Sequence, residues 1–291
     1  MPDHHHKSIG NIKTAFFLNL FFTIIEIVGG LLTSSLAILS DALHDLGDSL
    51  SLGLSWRLQR LSRKGRDERY SYGYHRFSLL GAIINSIVLL VGAAIVLRHA
   101  IPVLFDPTTV HAPGMIIMAV IGITVNGLAA LRLRGGHSLN EKVVLLHLLE
   151  DVAGWLGILI IAAIMMFTKA PWLDPLLSIL ISLWVVSQVV MRLRQAFRIV
   201  LQGVPENVNV ERIRDRLRQI EEIQESHDTH VWTLDGNYNI FSVHVVVNEN
   251  MDLEQLSELK EKVARILNEE NIHHSTIEFD LLGVDCELTE L

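Results

Sequence analysis

The stretch that decides the fold is SSLAILSDALHDLGDS, residues 34–49, which places charged side chains within an apolar run. A second apolar run contains HLLED, residues 147–151. In each run a histidine precedes an aspartate by four positions, so both side chains lie on one face of a helix. The two pairs are His44 with Asp48 and His147 with Asp151. Ionisable residues are costly in lipid and usually functional, so these pairs are the first candidates for a site.

Six apolar stretches approach the roughly 20 residues that a membrane-spanning helix needs. They are predicted at Ala15–Leu32, Ser34–Trp56, Leu79–Leu97, Gly114–Leu131, Val143–Phe167 and Trp172–Met191. The fourth is short and is interrupted by Asn126. The sequence therefore predicts a six-helix membrane domain over residues 14–202, preceded by a cytoplasmic arm over residues 1–13. The arm contains three consecutive histidines, which could collect metal or remain from a purification tag.

Charge divides the chain into two parts near Gly203. Residues 1–202 carry 17 Lys and Arg against 12 Asp and Glu, whereas residues 203–291 carry 7 against 20. This asymmetry indicates a lipid-embedded part followed by an acidic, water-exposed domain. The single cysteine, Cys286, excludes an intrachain disulfide and suits a reducing compartment.

Positive residues collect in the loops after the second, fourth and sixth predicted spans. They are Arg57, Arg60, Arg63, Lys64, Arg66, Arg69, Arg76, Arg132, Arg134, Lys142, Arg192, Arg194 and Arg198. The opposite loops contain only Arg98 and Lys169. Because cytoplasmic loops are rich in Lys and Arg, both termini are predicted in the cytoplasm. The protein is expected to be a multi-pass protein of a bacterial inner or plasma membrane.

The segment from residue 203 to 291 has the pattern of a small α/β domain of order αββαβ, ferredoxin-like or metallochaperone-like. Helices are predicted at Val210–Ile223 and Leu253–Leu267 from their apolar spacing. Strands are predicted at Thr229–Leu234, Asn239–Val247 and Ser275–Leu281, with a turn at Asp235-Gly236-Asn237.

The orientation of the spans predicts how the two pairs meet. Spans two and five run in opposite directions, so His44 should lie level with Asp151, and Asp48 level with His147. Two imidazole nitrogens and two carboxylate oxygens suit tetrahedral Zn²⁺, whereas Mg²⁺ and Ca²⁺ prefer more oxygens. Such polar groups can also hydrogen-bond between helices, but two identical pairs on separate spans favour a metal site.

The sequence resembles the cation diffusion facilitator family over residues 12–280. SSLAILSDALHDLGDS is similar to the family's second-helix signature. Three later segments resemble family segments in the same order: YSYGYHR at 70–76, HLLED at 147–151 and HDTHVW at 227–232.

The resemblance implies a homodimeric metal/proton antiporter that exports zinc, and sometimes cadmium or cobalt, from the cytosol. By position, His44, Asp48, His147 and Asp151 match the transport site, and the histidine at the first position resembles the zinc-preferring branch. Metal binding requires neutral imidazoles and ionised carboxylates, so it releases protons and suits proton exchange by alternating access. Neither nucleic acid binding nor enzyme activity is expected.

Two cytoplasmic regions carry further candidate ligands. Some family members have a second metal site in the loop that corresponds to residues 67–75, but here Tyr70 and Tyr74 replace its histidines. In the tail, the resemblance implies a regulatory metal site at or near the dimer interface. Its candidate ligands are His227, His230, His244, Glu278 and Asp280.

Three other functions fit a membrane metal site less well. An intramembrane zinc hydrolase would keep an open ligand position and a nearby base, and no span contains His-Glu-x-x-His. A metal sensor would not need six spans. A channel would be slowed by a tight four-ligand cage.

Overall fold

The computed structural model describes residues 3–62, 64–134, 139–168 and 170–282. Cys286 lies outside these residues, and so do the side chains of the three N-terminal histidines. The chain forms two compact units. The helical unit comprises Met1–Arg60 and Leu80–Leu193, and the tail unit comprises Leu61–Leu79 and Arg194–Leu291.

Six long helices account for most of the first two hundred residues. They are α1 Asp3–Thr33, α2 Leu36–Ser62, α3 Phe77–Phe105, α4 Ala112–Leu133, α5 Leu139–Phe167 and α6 Leu173–Val200. Each coincides with a predicted span, and most continue beyond the apolar residues from which the span was predicted. The backbone of the predicted N-terminal arm belongs to α1 from Asp3 onward.

Four of these helices are long and apolar enough to cross a membrane, within the residues that the structure describes. Their apolar parts are Phe77–Phe105, Ala112–Arg132, Leu145–Phe167 and Leu173–Val200. The fourth predicted span is therefore apolar enough to cross a membrane in spite of Asn126. The Asn126 side chain donates a hydrogen bond to the carbonyl of Gly122 in the same helix. The described apolar part of α1 is shorter, Asn19–Thr33. Helix α2 is less apolar because Asp41, Asp45 and Asp48 interrupt it.

Trp155 is at the centre of the core of the helical unit. Its side chain is fully buried on α5, and the ring of Phe22 on α1 meets it edge-on at a centroid distance of 6.2 Å. Gly122 on α4 allows this packing, because a Cβ there would lie 2.3 Å from the indole ring. Close packing of this kind leaves little room for a larger residue.

The start of α2 is fixed by a carboxylate from α6. Ser34 adopts a left-handed conformation with φ of 54°, and the chain then enters α2. The buried Asp174 accepts hydrogen bonds from the Ser35 hydroxyl at 2.5 Å and from the backbone N–H groups of Leu36 at 2.7 Å and Ala37 at 3.3 Å. A negative charge at a helix N-terminus satisfies unpaired N–H groups and interacts favourably with the helix dipole.

The same two helices are joined further along by hydroxyl groups. Ser178 donates to the carbonyl of Leu36 at 3.1 Å, and Ser40 and Ser182 are hydrogen-bonded at 3.2 Å. Hydrogen bonds between small polar residues hold transmembrane helices together. Helix α2 is therefore held against α6 near the N-terminal end of α2.

The tail unit contains the predicted αββαβ order. Its elements are α7 Val210–Arg218, β1 Ile223–Thr233, β2 Asn239–Val247, α8 Leu253–Glu269 and β3 His274–Leu281. The sheet order is β1-β2-β3, with β1 and β2 antiparallel and β2 and β3 parallel. Apolar residues of α7 and α8, including Leu217 and Val263, pack with the buried residues of β2.

The first predicted helix of the tail was too long and the first predicted strand too short. Helix α7 ends at Arg218, and β1 begins at Ile223 rather than Thr229. The reason is tertiary: Ile223 pairs with Val247 on β2, so backbone hydrogen bonds to the sheet replace a further helical turn. Bulges in β1 also interrupt the alternation of its side chains. The polar residues in the first part of the strand therefore did not show the alternating pattern from which strands are predicted.

We expect Asp174→Ala to destabilise the helical unit by about 1–3 kcal/mol, because buried donors on α2 would lose their acceptor. The measurement is thermal unfolding of the purified protein in detergent. Ser187→Ala is the matched control on α6, since that exposed hydroxyl donates only to the carbonyl of Trp184. Equal melting temperatures for the two variants would contradict the capping role of Asp174.

Candidate metal centre

Three predicted ligands converge between α2 and α5. His44 Nε2 lies 3.4 Å from Asp48 Oδ2, and His147 Nε2 lies 3.2 Å from the same oxygen. These three ligand atoms lie within 4.8 Å of one another. The two imidazole rings meet edge-on with a centroid distance of 6.1 Å. A single carboxylate oxygen of α2 therefore faces one imidazole of its own helix and one of α5.

Asp48 Oδ2 is buried and has no hydrogen-bond partner among the described residues. A buried carboxylate oxygen without a donor is costly, and a cation between the two imidazoles would compensate it. The oxygen and the two nitrogens are ligands that Zn²⁺ prefers. The donor set therefore fits a transition-metal ion better than Ca²⁺ or Mg²⁺, which prefer oxygen ligands.

Asp151, the fourth predicted ligand, lies at the edge of this group. Its carboxylate is 3.8 Å from His147 Nε2, on the same face of α5. No nitrogen–oxygen pair within 4.0 Å joins His44 and Asp151 in the described residues, whereas the predicted approach of Asp48 and His147 is present. The structure thus brings three of the four candidates together and leaves Asp151 as their neighbour.

A cavity of about 420 Å³ within the helical unit reaches two of the candidate ligands. Its lining includes Asp41, His44, Glu150, Asp151 and Trp184. Two candidate ligands therefore face an accessible space rather than a sealed core. Such access is required if an ion is to enter and leave.

Helix α1 supports the ligand-bearing part of α2. The side-chain amide of Asn19 donates to the backbone carbonyl of Asp45 at 3.1 Å and to the hydroxyl of Ser49 at 3.0 Å. Asn19 thus joins α1 to α2 by hydrogen bonds between helices, as polar residues in membrane helices often do. Glu26, also on α1, is fully buried, and neither of its carboxylate oxygens has a hydrogen-bond partner within the described chain.

The tail unit contains a second group of three ligand side chains, formed by His227, His244 and Asp280. The strand register explains why they meet. His227 on β1 pairs with His244 on β2, which is itself opposite Glu278 on β3, so these three residues form one row across the sheet. Asp280 stands two residues beyond Glu278, on the same face of β3. Its carboxylate lies 2.9 Å from His244 Nδ1 and 3.5 Å from His227 Nε2.

The other two predicted tail ligands occupy the margin of this group. Glu278 is exposed, with its carboxylate 3.5 Å from His244 Nε2. His230 is also exposed, and its Nε2 contacts Asp228 at 2.8 Å. The second carboxylate oxygen of Asp228 lies 3.5 Å from His244 Nε2.

Asp228 is a candidate ligand that the sequence analysis missed. It has a left-handed conformation with φ of 45° and stands within a bulge of β1, between His227 and His230. In a regular strand its side chain would point to the opposite face from His227. The bulge cancels this alternation, and only the position of Asp228 beside His227 in the sequence could have indicated it.

The loop between α2 and α3 uses its aspartate for structure. Asp67 accepts hydrogen bonds from Lys64, from the Tyr74 hydroxyl and from the backbone N–H groups of Arg69 and Tyr70. Lys64 and Tyr74 hold the pKa of Asp67 well below its usual range. Within the described chain this loop brings no three ligand side chains together.

Two family models match almost the whole chain. The cation efflux transmembrane domain matches residues 12–201, and the cation efflux protein cytoplasmic domain matches residues 205–281. The two domains are therefore a membrane-embedded helical domain and a cytoplasmic domain with a small sheet.

Curated relatives match along nearly their full length. A cadmium, cobalt and zinc/H(+)-K(+) antiporter of Bacillus velezensis is 31% identical over 96% of this chain and 91% of its own length. The metal cation efflux system protein CzcD of Cupriavidus metallidurans is 32% identical over 98% and 90%. The zinc transporter ZitB of Escherichia coli is 32% identical over 95% and 90%.

We expect Asp48→Asn to weaken zinc binding by the helical unit. The decrease in affinity should exceed the roughly 10- to 100-fold decrease that follows when a metal ligand loses its hydrogen-bond partner. The neutral amide would remove the charge that both imidazoles face. Zinc titration calorimetry of the full-length protein in detergent measures the change. Glu150→Gln is the control, because Glu150 is an exposed carboxylate beside Asp151 and is not part of the three-ligand group. Equal effects of the two substitutions would contradict the site.

We expect His244→Ala to remove one zinc ion per protomer from the tail unit, because His244 contacts the three carboxylates of Asp228, Glu278 and Asp280. His230→Ala should leave that ion bound, since among the candidate ligands that the structure describes His230 contacts only Asp228. Native mass spectrometry of the full-length protein counts the bound ions. Loss of the same ion from both variants would show that His230 is also a ligand.

Proposed function

The chain belongs to the cation diffusion facilitator family of cation efflux transporters, and we propose that it exports Zn²⁺ from the cytosol in exchange for protons. The family consists of transporters rather than enzymes. The observation that carries the proposal is the unpaired oxygen of Asp48, which faces the Nε2 atoms of His44 and His147. Zinc is the substrate at this position.

Asp151 completes the transport site in this proposal. Its carboxylate is 3.8 Å from His147, so a small side-chain adjustment would give two imidazoles and two carboxylates around one ion. Four ligands of this kind form the tetrahedral arrangement that zinc prefers. Two carboxylates also balance the charge of the ion, which lowers the cost of holding it among apolar helices.

The same ligands provide the coupling to protons. Both imidazoles must be neutral and both carboxylates ionised before the metal binds, so proton uptake and metal binding compete. A site that binds zinc when open to the cytosol and protons when open to the other side exchanges one for the other. The cavity that reaches His44 and Asp151 supports access of an ion to the site.

The membrane arrangement of the proposal has six spans with both termini in the cytoplasm. Helices α1 and α2 accompany the four apolar helices, and the polar groups that lower the hydropathy of α2 serve the site. The cytoplasmic domain forms the homodimer and binds a regulatory metal ion at His227, His244 and Asp280. The model of the cation efflux cytoplasmic domain matches the residues that follow the membrane part.

Cadmium and cobalt are further candidate substrates, because the names of two relatives include these metals or general metal cations. The nitrogen and oxygen ligands of the site favour zinc and cobalt, whereas the softer Cd²⁺ prefers sulfur. We therefore propose zinc as the main substrate.

Transport can be separated from metal sensing in proteoliposomes loaded with a zinc-sensitive dye. We expect zinc uptake to accelerate when the interior is made more acidic, since outward proton flow would drive zinc inward. Asp48→Asn should abolish uptake, and Glu150→Gln should retain it. Uptake that ignores the pH gradient would contradict proton exchange, and zinc binding without uptake would contradict transport.

A further inference from the structure

A cleft of about 410 Å³ in the tail unit has no role in the proposed transport cycle. We call it the basic cleft, and residues 69–73 and 75–77 line it together with Gln202, Trp232 and Leu234. Its walls are thus the loop before α3 with the first residue of that helix, Gln202 after α6, and the residues around the end of β1. All of these residues belong to one compact unit.

Two guanidinium groups give the cleft its positive charge. Arg69 and Arg76 both line it, and within the described chain neither side chain makes a hydrogen bond or an ion pair. No carboxylate lines the cleft, although the domain around it is acidic. Arginine presents several N–H donors in a planar fork that matches phosphate oxygens.

The carboxylates of Asp67 and Asp235 are already occupied. The exposed Glu68 precedes Arg69 in the loop, but among the described residues it makes no ion pair with either arginine. Asp67 accepts hydrogen bonds from Lys64 and Tyr74. Asp235 accepts from the backbone N–H groups of Asn237 and Tyr238, and its carboxylate lies 3.3 Å from His75 Nδ1. The charge of Arg69 and Arg76 is therefore available to a ligand.

Chain connectivity places the cleft beside the ends of two apolar helices. Phe77 is the first residue of α3, and Gln202 follows the last residue of α6 by two positions. Both helices are long and apolar enough to cross a membrane, so the cleft adjoins two segments that lead directly into a bilayer. The unit contains the cytoplasmic domain, and the cytoplasmic leaflet carries anionic lipids.

The rest of the lining suits the less polar part of a lipid. Tyr70 and Tyr72 are 43% and 45% exposed, and Trp232 is half-buried. Amphipathic aromatic rings concentrate at membrane–water boundaries, where they contact both head groups and the upper acyl chains. Phe77 and Leu234 add an apolar surface beside the two guanidinium groups.

We propose that the basic cleft binds an anionic phospholipid through its phosphate, with Arg69 and Arg76 as the donors. The aromatic side chains contact the glycerol and the first methylene groups. A lipid bound there would fasten the loop between α2 and α3 to the membrane surface. Soluble phosphate shares the same chemistry, so the test distinguishes the two sources.

The test counts phospholipids retained by the full-length protein in native mass spectrometry after incubation with phosphatidylglycerol or phosphatidylcholine. We expect the protein to retain phosphatidylglycerol in preference to phosphatidylcholine. The double variant Arg69→Gln/Arg76→Gln should lose this preference, since each lost guanidinium weakens binding roughly tenfold or more. Arg66→Gln is the matched control, because Arg66 is an exposed arginine of the same loop that does not line the cleft.

A second variant and a competitor complete the test. Arg69→Lys/Arg76→Lys keeps both charges but lacks the planar fork, so we expect it to retain phosphatidylglycerol better than the glutamine variant does. Equal retention of phosphatidylglycerol by the wild-type protein and the glutamine variant would overturn the proposal. Equal retention of the two lipids by the wild type would do so too. Displacement of phosphatidylglycerol by millimolar inorganic phosphate would assign the cleft to a soluble phosphate instead.

Discussion

The cost of burying an ionised carboxylate among apolar helices is the constraint on which the rest of this structure depends. Asp48 presents a buried oxygen to two imidazoles, and no hydrogen bond from the described residues satisfies it. A chain could avoid this cost by placing an apolar residue there. In the proposed function, the carboxylate is kept because it binds a cation, and competition between that cation and protons follows from the same chemistry.

The surrounding helices support α2 through hydrogen bonds from α1 and to α6. Asp174 caps the start of α2, and Asn19 donates to the backbone and side chain of α2 near the ligands. In the tail unit the equivalent support comes from the sheet, whose register aligns His227 with His244. In both units, rigid backbone elements carry the ligands, which favours a defined metal geometry.

Much of the fold could be predicted because lipid and water impose strong patterns on a sequence. The six long helices coincide with six apolar stretches, and β2 was predicted with the bounds that the structure gives. Predictions failed where tertiary contacts replaced local preference. Strand β1 begins at Ile223 because β2 offers it a partner, and α7 ends earlier for the same reason.

The candidate metal ligands could be recognised without a structure, because the spacing of His44 and Asp48 on one helical turn and the cost of charge in lipid require nothing from the rest of the chain. How those residues combine depends on the packing of the helices and strands that carry them. Asp48 meets His147 because α2 and α5 pack side by side, whereas Asp151 remains at the edge of the group. Asp228 joins the tail group because a bulge reverses the direction of its side chain, and local sequence does not encode which strand will be bulged.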